Sequence, residues 1–268
     1  MIKRILVGLA GTPYTPVAVR RAVLTAQAHG AAVGGVTLFD SLHSTPPDDE
    51  ARSEPFLSRI TAEHVERAVA HFENECRAAG VPYQVHHERS EPFSALMDLA
   101  RYHDMVVLGL KGLFEHRLPA TDPEALLLKL GTAGVRPILA ETSECRTVSR
   151  VLVAYNGTAD SANALKHFVL MRLWPDAVLK IVTFAHHAEE GRRLAEDAGG
   201  YCRAHGYKTE THVDPGDPAL LLLPTAGLWG ADLIVMGSGA RSMLVRRALG
   251  DMALEAIRHS RIALFLCH

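Results

Sequence analysis

The chain has 268 residues, 48% of them hydrophobic and 22% charged, with a formal net charge of −2. That length allows two domains with separate cores, and the near-neutral charge gives no electrostatic ground for a nucleic acid partner. No apolar run reaches membrane-spanning length, and residues 1–4 lead straight into a strand-like run without a signal-peptide core. A cytoplasmic protein with no membrane partner is therefore expected.

Residues 5–9 are an apolar run without alternation, closed by Gly11-Thr12, as for a strand buried on both faces of a parallel sheet. Residues 16–29 carry apolar positions at helical spacing (Val19, Ala22, Val23, Ala26) and stop at Gly30, where a C-terminal cap belongs. A strand at 32–39 and a Pro-rich irregular loop at 40–55 follow. A long amphipathic helix at 57–79 ends at Gly80-Val81-Pro82. Strands at 83–88, 105–109 and 137–141 and helices at 91–102 and 124–132 complete this half, with a loop at 111–122. After a short linker at 143–149 the series repeats. Its strands are at 151–155, 179–184, 208–213, 233–237 and 263–267, and its helices at 160–173, 187–205, 218–228 and 250–259. Strand alternating with helix predicts parallel sheets with right-handed crossovers and helices on both faces. Such sheets bind ligands at the carboxyl ends of their strands, where the strand order reverses.

The repetition is visible in the letters. Arg4-Ile5-Leu6-Val7 through Gly11-Thr12 returns as Arg150-Val151-Leu152-Val153 through Gly157-Thr158, and Asp104-Met105-Val106-Val107-Leu108-Gly109 returns as Asp232-Leu233-Ile234-Val235-Met236-Gly237. Two landmarks in the same order define two homologous halves, expected as domains at 1–143 and 149–268. The offset falls from 146 at the first landmark to 128 at the second, so the first half carries 18 more residues between them, placed in the loop at 40–55.

The segment richest in chemistry is Val235-Met236-Gly237-Ser238-Gly239-Ala240-Arg241-Ser242, with Leu249-Gly250-Asp251 after it. A buried strand delivers the chain to a turn of small residues, and Gly250 opens a helix. Backbone N–H groups in such a turn, and those at the helix start, suit phosphate oxygens. At this place the chain resembles the universal stress proteins. Their pattern G-x2-G-x9-G-[S/T] lies on a doubly wound five-stranded domain, and ATP-binding members use it for the phosphates. The resemblance covers the whole chain as a tandem pair. It implies two doubly wound α/β domains, each a five-stranded parallel sheet flanked by helices, of the adenine nucleotide alpha hydrolase-like kind. It also implies an adenine nucleotide, ATP with or without Mg, as the ligand of the second domain. Gly237 and Gly250 keep the pattern, while Ala240 and Asp251 replace its second Gly and its Ser/Thr.

The residues expected at the nucleotide are Tyr155, Asn156 and Gly157 on the first turn, Thr183 at the second strand, Met236, Gly237, Gly239, Ala240 and Arg241 at the fourth, and Gly250, Asp251 and Met252 at the last helix. Asn156 stands where the family has an Asp; it either hydrogen-bonds the nucleoside or closes a tight turn with Gly157. Arg241 either meets a phosphate or faces solvent. Asp251 cannot donate to a phosphate; it either complements the helix dipole or bridges through a divalent cation. The first half keeps Gly109 and Gly112 but has Asp122-Pro123 in place of Gly-Ser, and Ala10 at the first strand end. It is expected not to bind ATP in the family's manner.

Fifteen histidines are present, yet the adjacent pairs His86-His87 and His186-His187 would point to opposite faces of a strand, and no His-x3-His spacing occurs. The four cysteines form no Cys-x-x-Cys pair; Cys76 and Cys202 occupy matching helix positions and read as buried free thiols. Neither a metal site nor a catalytic group is nominated. The expected function is non-enzymatic binding or signalling in a stress response. The alternatives are a scaffold that has lost nucleotide binding and a slow metal-dependent ATPase. The resemblance implies association through the last strand; here 137–141 and 263–267 are expected to supply that contact to each other within the chain and so cover two sheet edges, with a further homodimer left open.

Overall fold

The computed structural model of the protein describes residues 2–38, 62–87, 92–109, 137–237 and 250–267. The chain divides into two compact units, one of Ile2–Arg136 with Ala140–Cys145, the other of Arg146–His268 with Met1 and Pro137–Leu139. The loops expected at 40–55 and 111–122 and the helix expected at 124–132 lie outside the described residues.

The first unit runs β1 (Arg4–Leu9), α1 (Thr15–His29), β2 (Ala32–Thr37), α2 (Ala62–Ala79), β3 (Tyr83–His86), α3 (Pro92–Ala100) and β4 (Met105–Leu108), after which comes β5 (Ile138–Ala140). All pairings are parallel, in the order β3-β2-β1-β4. The second unit runs β6 (Arg150–Ala154), α4 (Ala159–Met171), β7 (Val178–Phe184), α5 (Ala188–Ala204), β8 (Lys208–Asp214), α6 (Pro218–Trp229), β9 (Leu233–Gly237), α7 (Gly250–His259) and β10 (Ala263–Cys267). Its strands are again parallel, in the order β10-β9-β6-β7-β8. In both units the order reverses beside the first strand, between β1 and β4 and between β6 and β9.

The unalternating apolar runs account for the central strands. Ile5, Leu6 and Val7, like Val151, Leu152 and Val153, are fully buried because helices cover both faces. Gly30 caps α1 with a left-handed φ of 60°, as its sequence position suggested. The helix expected to reach 173 stops at Met171, because Arg172 takes a left-handed φ of 50° and caps it without a glycine. In the second core, Phe168 of α4 meets Phe265 of β10 edge-on at 5.6 Å. In the first, Phe72 of α2 meets Tyr83 in the same way at 5.7 Å.

Strand register locates the length difference between the halves. Arg4 lies beside Ala32 and Arg150 beside Val178, 28 positions on in both cases. Val33 lies beside Tyr83, 50 positions on, whereas Leu179 lies beside Thr209, 30 positions on. The first half is therefore 20 residues longer between its second and third strands. Ile5 lies beside Met105 and Val151 beside Leu233, separations of 100 and 82, so the excess has fallen to 18 by the fourth strand.

The repeated Asp has a structural task. Asp104 Oδ2 accepts from the backbone N–H groups of Lys3 and Arg4 at 2.6 and 2.9 Å. Asp232 Oδ2 accepts from Ser149 N, Ser149 Oγ and Arg150 N, all at 2.9 Å. One carboxylate thus ties the entrance of the fourth strand to that of the first in each unit, with charge-assisted bonds.

Two features belong to the first unit. Arg21 of α1 forms a buried ion pair with Glu141, whose backbone N–H bonds Leu108 O beside β4 at 2.8 Å. Burial pushes the Glu141 carboxyl above its ordinary value, against the pull of Arg21. His103, only 3% exposed, donates from Nδ1 to Leu99 O at 2.7 Å and lies over Gly34, where a Cβ would come within 2.9 Å of Nε2. Burial lowers its pKa from 6.5, and the nearby Arg4 and His86 act the same way.

Candidate functional site

In the second unit β6 delivers Tyr155-Asn156-Gly157-Thr158 to the start of α4. Gly157 has a φ of 77°, a conformation other residues rarely adopt, and a Cβ there would meet Leu194 Cδ2 at 2.9 Å. Asn156 Oδ1 accepts from Thr158 N at 3.1 Å and Thr158 Oγ1 at 2.7 Å, and Thr158 caps α4 by accepting from Ser161 N at 3.3 Å. Of the two sequence readings of Asn156, the tight turn is realised. Its amide N–H groups are the part left for a ligand.

Three strand ends stand level around this turn. Tyr155 N donates to Val182 O at 2.9 Å, which sets Tyr155 beside Thr183 on β7. On the other side β9 pairs with β6 through Val235 and Val153, which brings Gly237 to the same level. The first turn of α4 crosses directly over Gly237, where a Cβ would lie 2.8 Å from the backbone carbon of Asp160 and 2.9 Å from Ser161 N. Only a glycine fits, and the reason is helix packing. In the first unit Gly109 meets Tyr14 in the same way, at 2.5 Å from its Cβ. The glycine that the sequence offered as a phosphate contact has a packing role in both halves.

The other expected residues separate in the structure. Met236 is fully buried in the sheet and Met252 is 8% exposed, so both side chains belong to the core. Tyr155 is half-buried; burial and the carboxylate of Asp197 raise its phenol above 10. Gly250 and Asp251 open α7, as expected. Gly239, Ala240 and Arg241 lie outside the described residues.

Thr183 is the most informative member. It is 1% exposed and its Oγ1 has no hydrogen-bond partner among the described residues. Its counterpart Thr37 at the end of β2 is 6% exposed, and there the hydroxyl donates to His86 O at 3.4 Å. A buried hydroxyl left unpaired costs on the order of 1–3 kcal/mol, and that cost disappears if a ligand supplies the partner.

The first unit offers its own concavities. A cavity of about 280 Å³ lies between the β1–α1 turn and α2, and a second of about 370 Å³ continues between α1 and α2. The turn is Gly11-Thr12, with Gly11 at φ 70°. Thr12 N donates to Thr15 Oγ1 at 3.1 Å. The polar side chains of α2 that line these cavities were missed in the sequence, although His64, Ala68, His71 and Glu75 follow helical spacing on one face. Among the described residues no group of three or more His, Cys, Asp or Glu is placed to hold a metal ion, and no helix is long and apolar enough to cross a membrane.

Two doubly wound α/β units in tandem, each with a small-residue turn where its strand order reverses, define the class of protein. Comparison with known proteins narrows it. The model of the universal stress protein family matches residues 1–121 and 184–268. A universal stress protein of Synechocystis sp. is 22% identical over 211 residues, covering 76% of this chain and 72% of that protein. The crystal structure of a universal stress protein from Archaeoglobus fulgidus superposes with a TM-score of 0.65 at 15% identity, over 98% of this chain and 95% of that one. A putative universal stress protein from Pseudomonas aeruginosa gives 0.65 at 15% identity, over 99% and 93%. The chain belongs to the universal stress protein family.

Proposed function

We propose that this stress-response protein is a non-enzymatic binder whose second unit holds an adenine nucleotide at the carboxyl ends of β6, β7 and β9. The observation that carries this reading is the hydroxyl of Thr183, 1% exposed and without a hydrogen-bond partner among the described residues, at the end of the strand beside the Tyr155 turn. Position supports it too, because the point of strand reversal is where such sheets take ligands. The family's phosphate pattern lies in the same unit, with Gly237 and Gly250 in place. The nucleoside would lie toward Thr183 and the amide of Asn156, and the phosphates toward the start of α7.

Calorimetric titration of the full chain with ATP, with and without Mg, tests the reading. Saturable heat is expected, with affinity lowered by Thr183→Val and no phosphate released above background. Gly237→Val is a poor probe, because it would drive a side chain into α4 whether or not a ligand binds. A competing scaffold reading draws support from Asn156 Oδ1, committed to its own turn, and from the buried Met236 and Met252. Absence of both heat and thermal shift with ATP would decide for the scaffold. Phosphate release lost in Asp251→Asn would decide for an ATPase.

A further inference from the structure

The cleft of the first unit has a chemistry of its own. Its upper chamber, about 280 Å³, has a floor of Thr12 and Thr15, which are 3% and 2% exposed. Their hydroxyl oxygens stand 3.4 Å apart, at the outer limit of a hydrogen bond, so a ligand oxygen can replace that contact at little loss. The wall is one face of α2, bearing His64, Arg67 and His71. His64 and His71 are half-buried. The Arg67 side chain is 64% exposed and only loosely associated with Glu63 at 3.9 Å, an exposed ion pair of little strength. Among the described residues, no carboxylate lines this chamber. The lower chamber, about 370 Å³, shares Pro16 and His71 with the upper one and carries mixed charge from Arg20, Glu75 and Glu144.

We infer that this cleft is a second ligand site, separate from the proposed nucleotide site, which takes the phosphate monoester of a small molecule with its phosphate against His64, Arg67 and His71. A guanidinium fork, two imidazoles and two hydroxyls supply enough donors for three terminal phosphate oxygens, more than a carboxylate can use. The upper chamber lies at the lower bound of ordinary small-molecule sites, which suits a compact phosphate ester better than a nucleoside triphosphate. The body of the ligand would extend past His71 into the lower chamber.

The test titrates the full chain with glycerol 3-phosphate and with inorganic phosphate, followed by calorimetry and by the NMR signals of the His64 and His71 rings. Saturable binding is expected, weakened roughly tenfold or more by Arg67→Ala, as for loss of one charge-assisted contact. The variant should melt with the wild type, because Arg67 is mostly in solvent. Arg192→Ala, an exposed arginine of the second unit, should leave phosphate binding unchanged. Failure of ATP to bind would leave this site untouched. The inference is overturned if neither probe saturates, if Arg67→Ala binds like the wild type, if Arg192→Ala weakens binding as much as Arg67→Ala does, or if glycerate binds as tightly as glycerol 3-phosphate.

Discussion

The two halves agree at one end of their sheets and differ at the other. At the amino ends, Asp104 and Asp232 hold the same backbone groups through the same oxygen, at nearly the same distances. At the carboxyl ends, Thr37 has a protein partner and Thr183 has none among the described residues; Ala10 stands where Asn156 does. A duplicated fold tolerates divergence where the strands end and resists it where they begin. A residue shared by both halves therefore argues for packing, and a residue that differs argues for function.

The strongest way to break this comparison uses the Arg21–Glu141 pair of the first unit. Glu141→Leu should cost about 3–5 kcal/mol in denaturant unfolding, because the guanidinium cannot shed its proton and stays charged in the core. Arg21→Leu should cost less, since burial already favours the neutral carboxyl of Glu141. The double variant should recover most of the loss. Equal losses in both single variants and no recovery would show that the pair does not act as a unit.

Next in size are the matched glycines. Gly109→Ala and Gly237→Ala should each cost about 1–3 kcal/mol by forcing a methyl into the overlying helix start. The two midpoint shifts in urea should be similar. A large loss at Gly237 alone would instead mark a role found only in the second half.

The threonines should respond with opposite signs. Thr183→Val removes an unpaired buried hydroxyl and should raise the stability of the unliganded protein by up to about 1 kcal/mol. Thr37→Val removes a bonded one and should lower it by about 0.5–1 kcal/mol. Melting both variants without ligand checks this, and destabilisation by Thr183→Val would mean that the hydroxyl is satisfied within the protein.

The smallest expected effect is a pH dependence confined to the first unit. The pKa of His103 is lowered in the folded state, so the unfolded chain takes up its proton first as pH falls. Stability should be fully present above 6.5 and decline as pH falls from there toward the depressed folded value. His103→Gln should flatten that slope, and melting curves across this range would reveal whether it does.

The fold was legible in the sequence because both its signals are local. Unalternating runs such as 5–7 and 151–153 mark strands covered on both faces, and Gly30 marks a helix end through a conformation few other residues adopt. Letter spacing gives the size of the excess, the Pro-rich composition of 40–55 suggests its place, and strand register puts it between β2 and β3. The helix end at Met171 was not legible, because Arg172 caps it through a left-handed backbone that a non-glycine residue rarely adopts and the apolar pattern does not announce.

The site was less legible. In the sequence Gly237 suggests an approach to phosphate; the constraint the structure adds is the first turn of α4, about 77 residues earlier in the chain. Met236 and Met252 belong to the set expected at the nucleotide, and their side chains are buried in the core. Thr183 Oγ1 finds no hydrogen-bond partner among the described residues, although the strand register around it matches that around Thr37, and no spacing rule encodes that difference. The cleft of the first unit carries no glycine motif; its cue in the sequence is the periodic placement of imidazoles on α2.

The aspartate clamp has an evolutionary corollary. Because it fastens the strand entrances, a full strand length from the strand exits, substitutions around a ligand leave the tie intact. A repeated unit held in this way can diverge at its strand exits without loosening its strand entrances.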